Sequence, residues 1–108
     1  MRSDAERIED LLDACERLQR IVAKGERHFR EAEEAQLAVV HLIQIMGEAA
    51  ARVSPDVRAR HADVPWRQVA AMRNQVVHRY FDIDLDLVWN IATSDVPDLQ
   101  RRIREIRS

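Results

Sequence analysis

Cysteine, glycine and proline are scarce in this chain, with one, two and three copies respectively. The single Cys15 excludes an intramolecular disulfide, and no His/Cys/Asp/Glu cluster indicates a metal site. So few glycines and prolines argue against an all-β chain full of turns and against a low-complexity segment. Long apolar runs are also missing, and the N-terminal stretch "MRSDAERIEDLL" is amphipathic from its start. We therefore expect neither a secretory signal nor a membrane span, and a cytoplasmic, reducing location.

Length and composition favour one helical domain over residues 1–108. The 108 residues suit a single core, and 46% apolar with 33% charged residues is typical of a globular all-α protein. The net charge of −2 is no general attraction for nucleic acid. Its distribution says more: residues 57–81 carry +4 (five arginines less one aspartate) and residues 82–98 carry −5 (five aspartates). We interpret the acidic run as helix caps and solvated surface; a docking surface for a basic partner is the alternative.

Apolar periodicity predicts an up-and-down helical bundle of four to six helices, some of them short. A capping pattern opens the first helix, and a Ser-Pro pair opens a short one. The predicted helices span residues 4–23, 30–53, 54–61 and 65–80, with two more capped by Asp84 or Asp86 and by Ser94 or Asp95. Gly47 costs the interior of the second helix roughly 1 kcal/mol, so we expect another helix to approach closely there.

The stretch "RNQVVHRY", residues 73–80, concentrates polar chemistry at the end of the fourth predicted helix. On a helix, Asn74 would lie one turn before His78, and Arg73 could reach round to it. Alternatively, these are charges that suit the negative pole of the helix dipole. Glu48, next to Gly47, could orient His78 or Arg73, or could form a salt bridge within the bundle.

Residues 64–89, "VPWRQVAAMRNQVVHRYFDIDLDLVW", resemble the HEPN superfamily and in detail its HepT-like toxins. The shared features are a Pro-Trp pair, an Arg-Asn pair, four residues between Arg and His, and a Tyr two positions later. They fall on Pro65, Trp66, Arg73, Asn74, His78 and Tyr80. The "MGEAA" segment, residues 46–50, is similar as well. The family often has polar residues where this chain has Leu37, His41 and Leu42, so no function is assigned to those positions.

The resemblance implies a two-fold homodimer of HEPN-like bundles with the motif at the subunit contact. It also implies a metal-independent endoribonuclease without a cofactor, acting on RNA as the toxin of a toxin-antitoxin pair. The antitoxin would be a minimal nucleotidyltransferase that adenylylates Tyr80. Cleavage through the ribose 2′-OH needs a base, an acid and positive charge, whereas one motif offers one histidine. A two-fold contact would bring His78 and Arg73 of both subunits to one phosphate.

In this hypothesis each motif residue has a role in RNA cleavage. Arg73 clamps the phosphate, Asn74 holds the imidazole or a ribose hydroxyl, and Tyr80 stacks a base. Arg67 and Arg79 are candidates for the rim of the RNA groove, and Glu48 for a supporting contact.

Two other functions fit the sequence. The chain could be a non-catalytic HEPN domain that binds nucleotide or nucleic acid, or that acts as a scaffold for a nucleotidyltransferase. It could also be a helical bundle with a chance motif and an unrelated interaction role. The RNA target and any assembly beyond the dimer stay open.

Overall fold

The computed structural model describes residues 2–79 and 82–107, and the side chains of residues 2–76 and 83–106. Helices dominate it, and the predicted all-α bundle is confirmed. A short antiparallel hairpin pairs Val77 with Ile83. The helices are α1 (Asp4–Val22), α2 (Glu26–Glu31), α3 (Glu33–Arg52), α4 (Pro55–Arg60), α5 (Trp66–Gln75), α6 (Leu85–Asn90) and α7 (Val96–Arg107). The strands are β1 (Val77–Arg79) and β2 (Asp82–Ile83).

Helix α3 is the centre of the bundle, packed between α1 and α5, while α7 covers another side of α1. Its buried face includes Val39, Ile43 and Met46, all with no exposed surface. Helix α1 begins at the predicted capping box, in which Glu6 N donates to Ser3 Oγ and Ser3 N donates to Glu6 Oε1. Among the described residues, no helix is long and apolar enough to cross a membrane.

The predicted start of the second helix, at about residue 30, is wrong, because the chain forms two helices, α2 and α3, in this region. Ala32 is extended between α2 and α3. The Gln36 side chain donates to the carbonyls of Phe29 and Arg30 at 3.0 and 3.1 Å, which satisfies acceptors at the end of α2. Phe29 is fully buried and contacts the ring of Trp89 at a centroid distance of 5.4 Å.

The fourth predicted helix was expected to end near Tyr80, which is wrong: α5 ends at Gln75 and β1 follows. The residues after Gln75 include two valines, and β-branched side chains favour strand over helix. Val76 is fully buried where the chain turns from helix to strand. The predicted stacking of Asn74 beneath His78 on one helix face is therefore wrong as well.

The prediction that Ser94 or Asp95 caps the start of the last helix is also wrong, because the chain is already helical at both residues. Helix α6 continues through a π-helical turn, Ile91–Asp95, directly into α7. Pro97 lacks an N–H, and in a regular helix its ring would crowd the carbonyl of Thr93, four residues earlier. The π-helical turn that contains Thr93 is wider and accommodates the proline ring.

The acidic run has mostly structural partners. Asp84 caps α6 by accepting from Leu87 N at 3.1 Å, as predicted. Asp86 accepts from Arg30 at 2.7 Å. Asp98 binds Arg101 and Arg102 within α7.

Candidate active site

Helices α3 and α5 pack against each other closely at Gly47. A Cβ on Gly47 would lie 3.0 Å from Arg73 Cβ, 3.3 Å from Arg73 Cγ and 3.2 Å from the carbonyl oxygen of Ala70. These separations are below ordinary contact distances, so a side chain would not fit there without displacement of α5. The predicted close approach at Gly47 is confirmed, and it places the stem of Arg73 directly over α3.

Glu48 holds the end of the same arginine. Arg73 Nη1 donates to Glu48 Oε2 at 2.7 Å, and Arg52 Nε donates to Glu48 Oε1 at 2.5 Å. The hydrogen bond and charge of Arg52, followed by the charges of Arg73 and Arg7, hold the pKa of Glu48 below its ordinary value. Arg52 and Arg73 thus bind the Glu48 carboxylate, and Arg7 of α1 adds a third positive charge at the same groove. The site has an excess of positive charge although Glu48 is ionised.

This cluster opens onto a groove of about 480 Å³ between α1, α3 and α5. Arg73 and the exposed Asn74 lie on its α5 side. Its other lining residues are Arg7 and Asp10 of α1, and His41, Gln44, Ile45, Glu48 and Ala49 of α3. The carboxylate of Asp10 is bound by Arg2 at 2.6 and 2.7 Å, so it does not neutralise the arginines of the groove.

Two basic lining residues, His41 and Arg7, are among those that the sequence analysis missed. His41 lies seven residues, or about two turns, before Glu48 on one face of α3, and that spacing was the available signal. Arg7 gave no signal, because only the packing of α1 against α3 brings it to Glu48.

The other predicted site residues lie at different places. His78 and Arg79 belong to β1, which begins two residues after α5 ends. Tyr80 lies outside the described residues. Arg67 lines a different groove, of about 600 Å³, beside α4 and Trp66.

Glu48 therefore forms a salt bridge with Arg73, as one of its two predicted roles requires, and its role in orienting Arg73 for catalysis stays a prediction. In the described part of the chain, no three His, Cys, Asp or Glu side chains converge as a metal site requires. Cys15 is fully buried, and burial raises the pKa of its thiol to about 12.

Comparison with known proteins identifies the family. The model of the family described as "Ribonuclease HepT-like" matches residues 11–106. A protein of Thermococcus cleftensis named "Probable ribonuclease HepT" is 29% identical over 107 residues, covering 98% of this chain and 97% of that protein. A "Putative RNase" of Caldanaerobacter subterraneus subsp. tengcongensis is 29% identical over 100 residues, covering 92% and 89%. No solved structure matches the chain. The predicted family is confirmed: this chain belongs to the HepT-like ribonucleases.

Proposed function

We propose that this chain is a metal-independent endoribonuclease whose active site is shared by two subunits, and that it is the toxin of a toxin-antitoxin pair in the cytoplasm. The observation that carries the proposal is the position of Arg73. Its guanidinium lies in an open groove, in a cluster of three arginines around Glu48, and the chain runs from its helix straight into the strand of His78. A phosphodiester fits such a site by charge and by paired hydrogen bonds.

The proposed reaction uses only the substrate and the side chains of the motif. The imidazole of one His78 removes the proton of the ribose 2′-OH, and the 2′-oxygen attacks phosphorus. The 5′-oxygen leaves with a proton from a second His78, which gives a 2′,3′-cyclic phosphate and a free 5′-hydroxyl. Arg73 stabilises the extra negative charge on the phosphorus centre, which by analogy with an oxyanion donor contributes about 3–4 kcal/mol. Asn74, exposed beside it, binds a ribose hydroxyl or the imidazole.

A homodimer supplies the second histidine in this proposal. A two-fold contact pairs each surface with itself, so the groove that holds Arg73 would face its copy. In this proposal one His78 is neutral and acts as the base, while the other is charged and acts as the acid. The dimer, and any larger assembly, is part of the proposal.

Neutralisation by a nucleotidyltransferase antitoxin extends the proposal to Tyr80. The tyrosine oxygen would attack the α-phosphorus of ATP, lose its proton, and release pyrophosphate, which leaves an adenylate on Tyr80. Because Tyr80 follows the strand of His78 in sequence, the added phosphodiester would compete with the RNA phosphate for Arg73.

The test of the enzyme is RNA cleavage by the unmodified dimer in chelator. We expect labelled RNA to be cut to cyclic-phosphate ends, whereas His78→Ala protein and a substrate without 2′-OH groups give no product. Light scattering on the same samples checks that both proteins are dimers, since dissociation would mimic inactivity. If an intact dimer with unmodified Tyr80 leaves a range of RNAs uncut, the binding or scaffold function is favoured.

The test of neutralisation is coexpression with a minimal nucleotidyltransferase. We expect the chain to gain the mass of one adenylate on Tyr80 and to lose cleavage, and Tyr80→Phe protein to stay unmodified and active. Modification at another residue would contradict this part of the proposal and leave the ribonuclease intact.

A further inference from the structure

A second groove lies next to the first one, between the C-terminal half of α1 and the first half of α3. It has a volume of about 410 Å³. Its lining residues are Arg17, Arg20, Ile21, Lys24, Ala38, His41 and Leu42. His41 lines both grooves, so the two are continuous along α3. We call this second region the α1–α3 groove.

Two cations of the α1–α3 groove differ from most other cations that the structure describes. In the described part of the chain, nine arginines lie within ion-pair distance of a carboxylate, Arg17 with Asp13 among them. Arg20 and Lys24 are exposed and have no such carboxylate among the described residues. Their charges are available to a ligand without the loss of an existing salt bridge.

The groove suits a phosphate backbone better than a base. Among its lining residues, Ile21 and Leu42 are aliphatic, and the one aromatic side chain is that of His41, which the groove shares with the catalytic groove. Arg20 and Lys24 make the groove positively charged, so it complements the phosphates of an RNA of any sequence.

We propose that the α1–α3 groove binds the backbone of the RNA strand that extends from the catalytic groove. This inference rests on the proposed ribonuclease function. His41 lies about 10 Å along α3 from Glu48, given seven residues at 1.5 Å each. A strand held at Arg73 must therefore continue past His41 to reach Arg20 and Lys24, and a very short RNA would not engage them.

The test compares two double variants with the same loss of charge. Arg20→Gln with Lys24→Gln removes the two cations of the groove. Arg27→Gln with Arg101→Gln is the control, because these exposed arginines line neither groove. Both pairs are made in a His78→Ala chain, and binding of labelled single-stranded RNAs of about 16 and about 4 nucleotides is measured over a range of salt concentrations.

We expect the groove variant to bind the longer RNA at least tenfold more weakly than the control at low salt. The slope of log K against log salt should fall in magnitude by about 1.4, from two lost phosphate contacts at about 0.7 each. Binding of the short RNA should be equal in both. Thermal unfolding is measured too, since Arg20 and Lys24 also complement the negative end of the α1 dipole.

Equal affinities and equal salt slopes in folded proteins would overturn the inference and leave the catalytic proposal standing. RNA cleavage by the wild-type protein, measured separately, shows whether the ribonuclease proposal itself has failed. Wild-type protein that neither binds nor cuts RNA would overturn both.

Discussion

The side chain of Arg73 lies over the backbone of Gly47, so close that a Cβ on Gly47 would stand 3.0 Å from Arg73 Cβ. The next residue, Glu48, binds the guanidinium of the same arginine at 2.7 Å. One pair of neighbouring residues in α3 thus fixes both ends of the Arg73 side chain. Its position is set by packing and by a salt bridge, before any RNA is bound.

Gly47→Ala should impair cleavage more than it impairs folding. Alanine favours a helix over glycine by about 1 kcal/mol, but here Arg73 Cβ and the carbonyl oxygen of Ala70 have to move by a few tenths of an ångström to make room for the methyl group. Since a misplacement of about 1 Å in a catalytic group can cost 100-fold in rate, this smaller displacement of Arg73 should still lower the cleavage rate. Urea unfolding and single-turnover cleavage, measured on the same protein, separate the two effects.

Gly25→Ala is the matched control for Gly47→Ala. Gly25 has a φ of 102°, which strains any side chain, yet nothing lies within 4 Å of its Cβ position. The control should lose stability by about 1 kcal/mol and keep its cleavage rate. If Gly47→Ala cleaves RNA as fast as Gly25→Ala, the crossing does not position Arg73.

Glu48→Gln should separate catalysis from binding. Loss of the carboxylate removes the salt bridge that orients Arg73, so kcat should fall by up to about 100-fold. It also removes a negative charge beside the phosphate site, where repulsion in water is about 1 kcal/mol at 4 Å, so RNA binding should tighten roughly fivefold. Glu31→Gln, which breaks a comparable exposed pair with Arg27, is the control. Weaker RNA binding by Glu48→Gln would contradict the proposed phosphate site.

The sequence predicted the parts of this site that depend on local pattern. Gly47 inside a helix indicated a helix crossing, and the motif of residues 73–80 indicated the family. It failed where tertiary packing decides. Helix α5 ends at Gln75, where Val76 is buried in the core. His78 therefore lies in a strand and not in the predicted helix. Arg7 joins the groove only through the packing of α1 on α3, which periodicity cannot register, whereas the seven-residue spacing of His41 from Glu48 was a signal that the sequence analysis did not use.

Asp4 should make the fold sensitive to acid. Ser54 Oγ and N donate to its carboxylate at 2.7 and 2.9 Å, and these hydrogen bonds lower the pKa of Asp4 from its ordinary 3.8. A lowered pKa means that the stabilisation is full above 3.8 and is lost as the pH falls through the lower folded value. Asp4→Asn should therefore flatten the fall in unfolding free energy below about pH 4. An equally steep fall in the unfolding free energy of Asp4→Asn at acid pH would contradict the role of Asp4.

Cys15 should be unreactive in the folded protein. It is fully buried, and burial raises the pKa of its thiol to about 12, so the nucleophilic thiolate is scarce at neutral pH. We expect a thiol reagent to label it only after urea unfolding, at a rate that follows the unfolded population. Rapid labelling of the native protein would show that the core of α1 opens readily.

A mixed dimer tests whether two subunits share one active site. Wild-type and His78→Ala chains with different tags are coexpressed, and the heterodimer is isolated. It is assayed at a concentration above the range in which the dimer dissociates. Because acid and base each contribute about 10²–10⁴-fold, we predict at most about one-hundredth of the wild-type cleavage rate. Half of the wild-type rate would contradict the account, because each chain would then carry a complete site of its own.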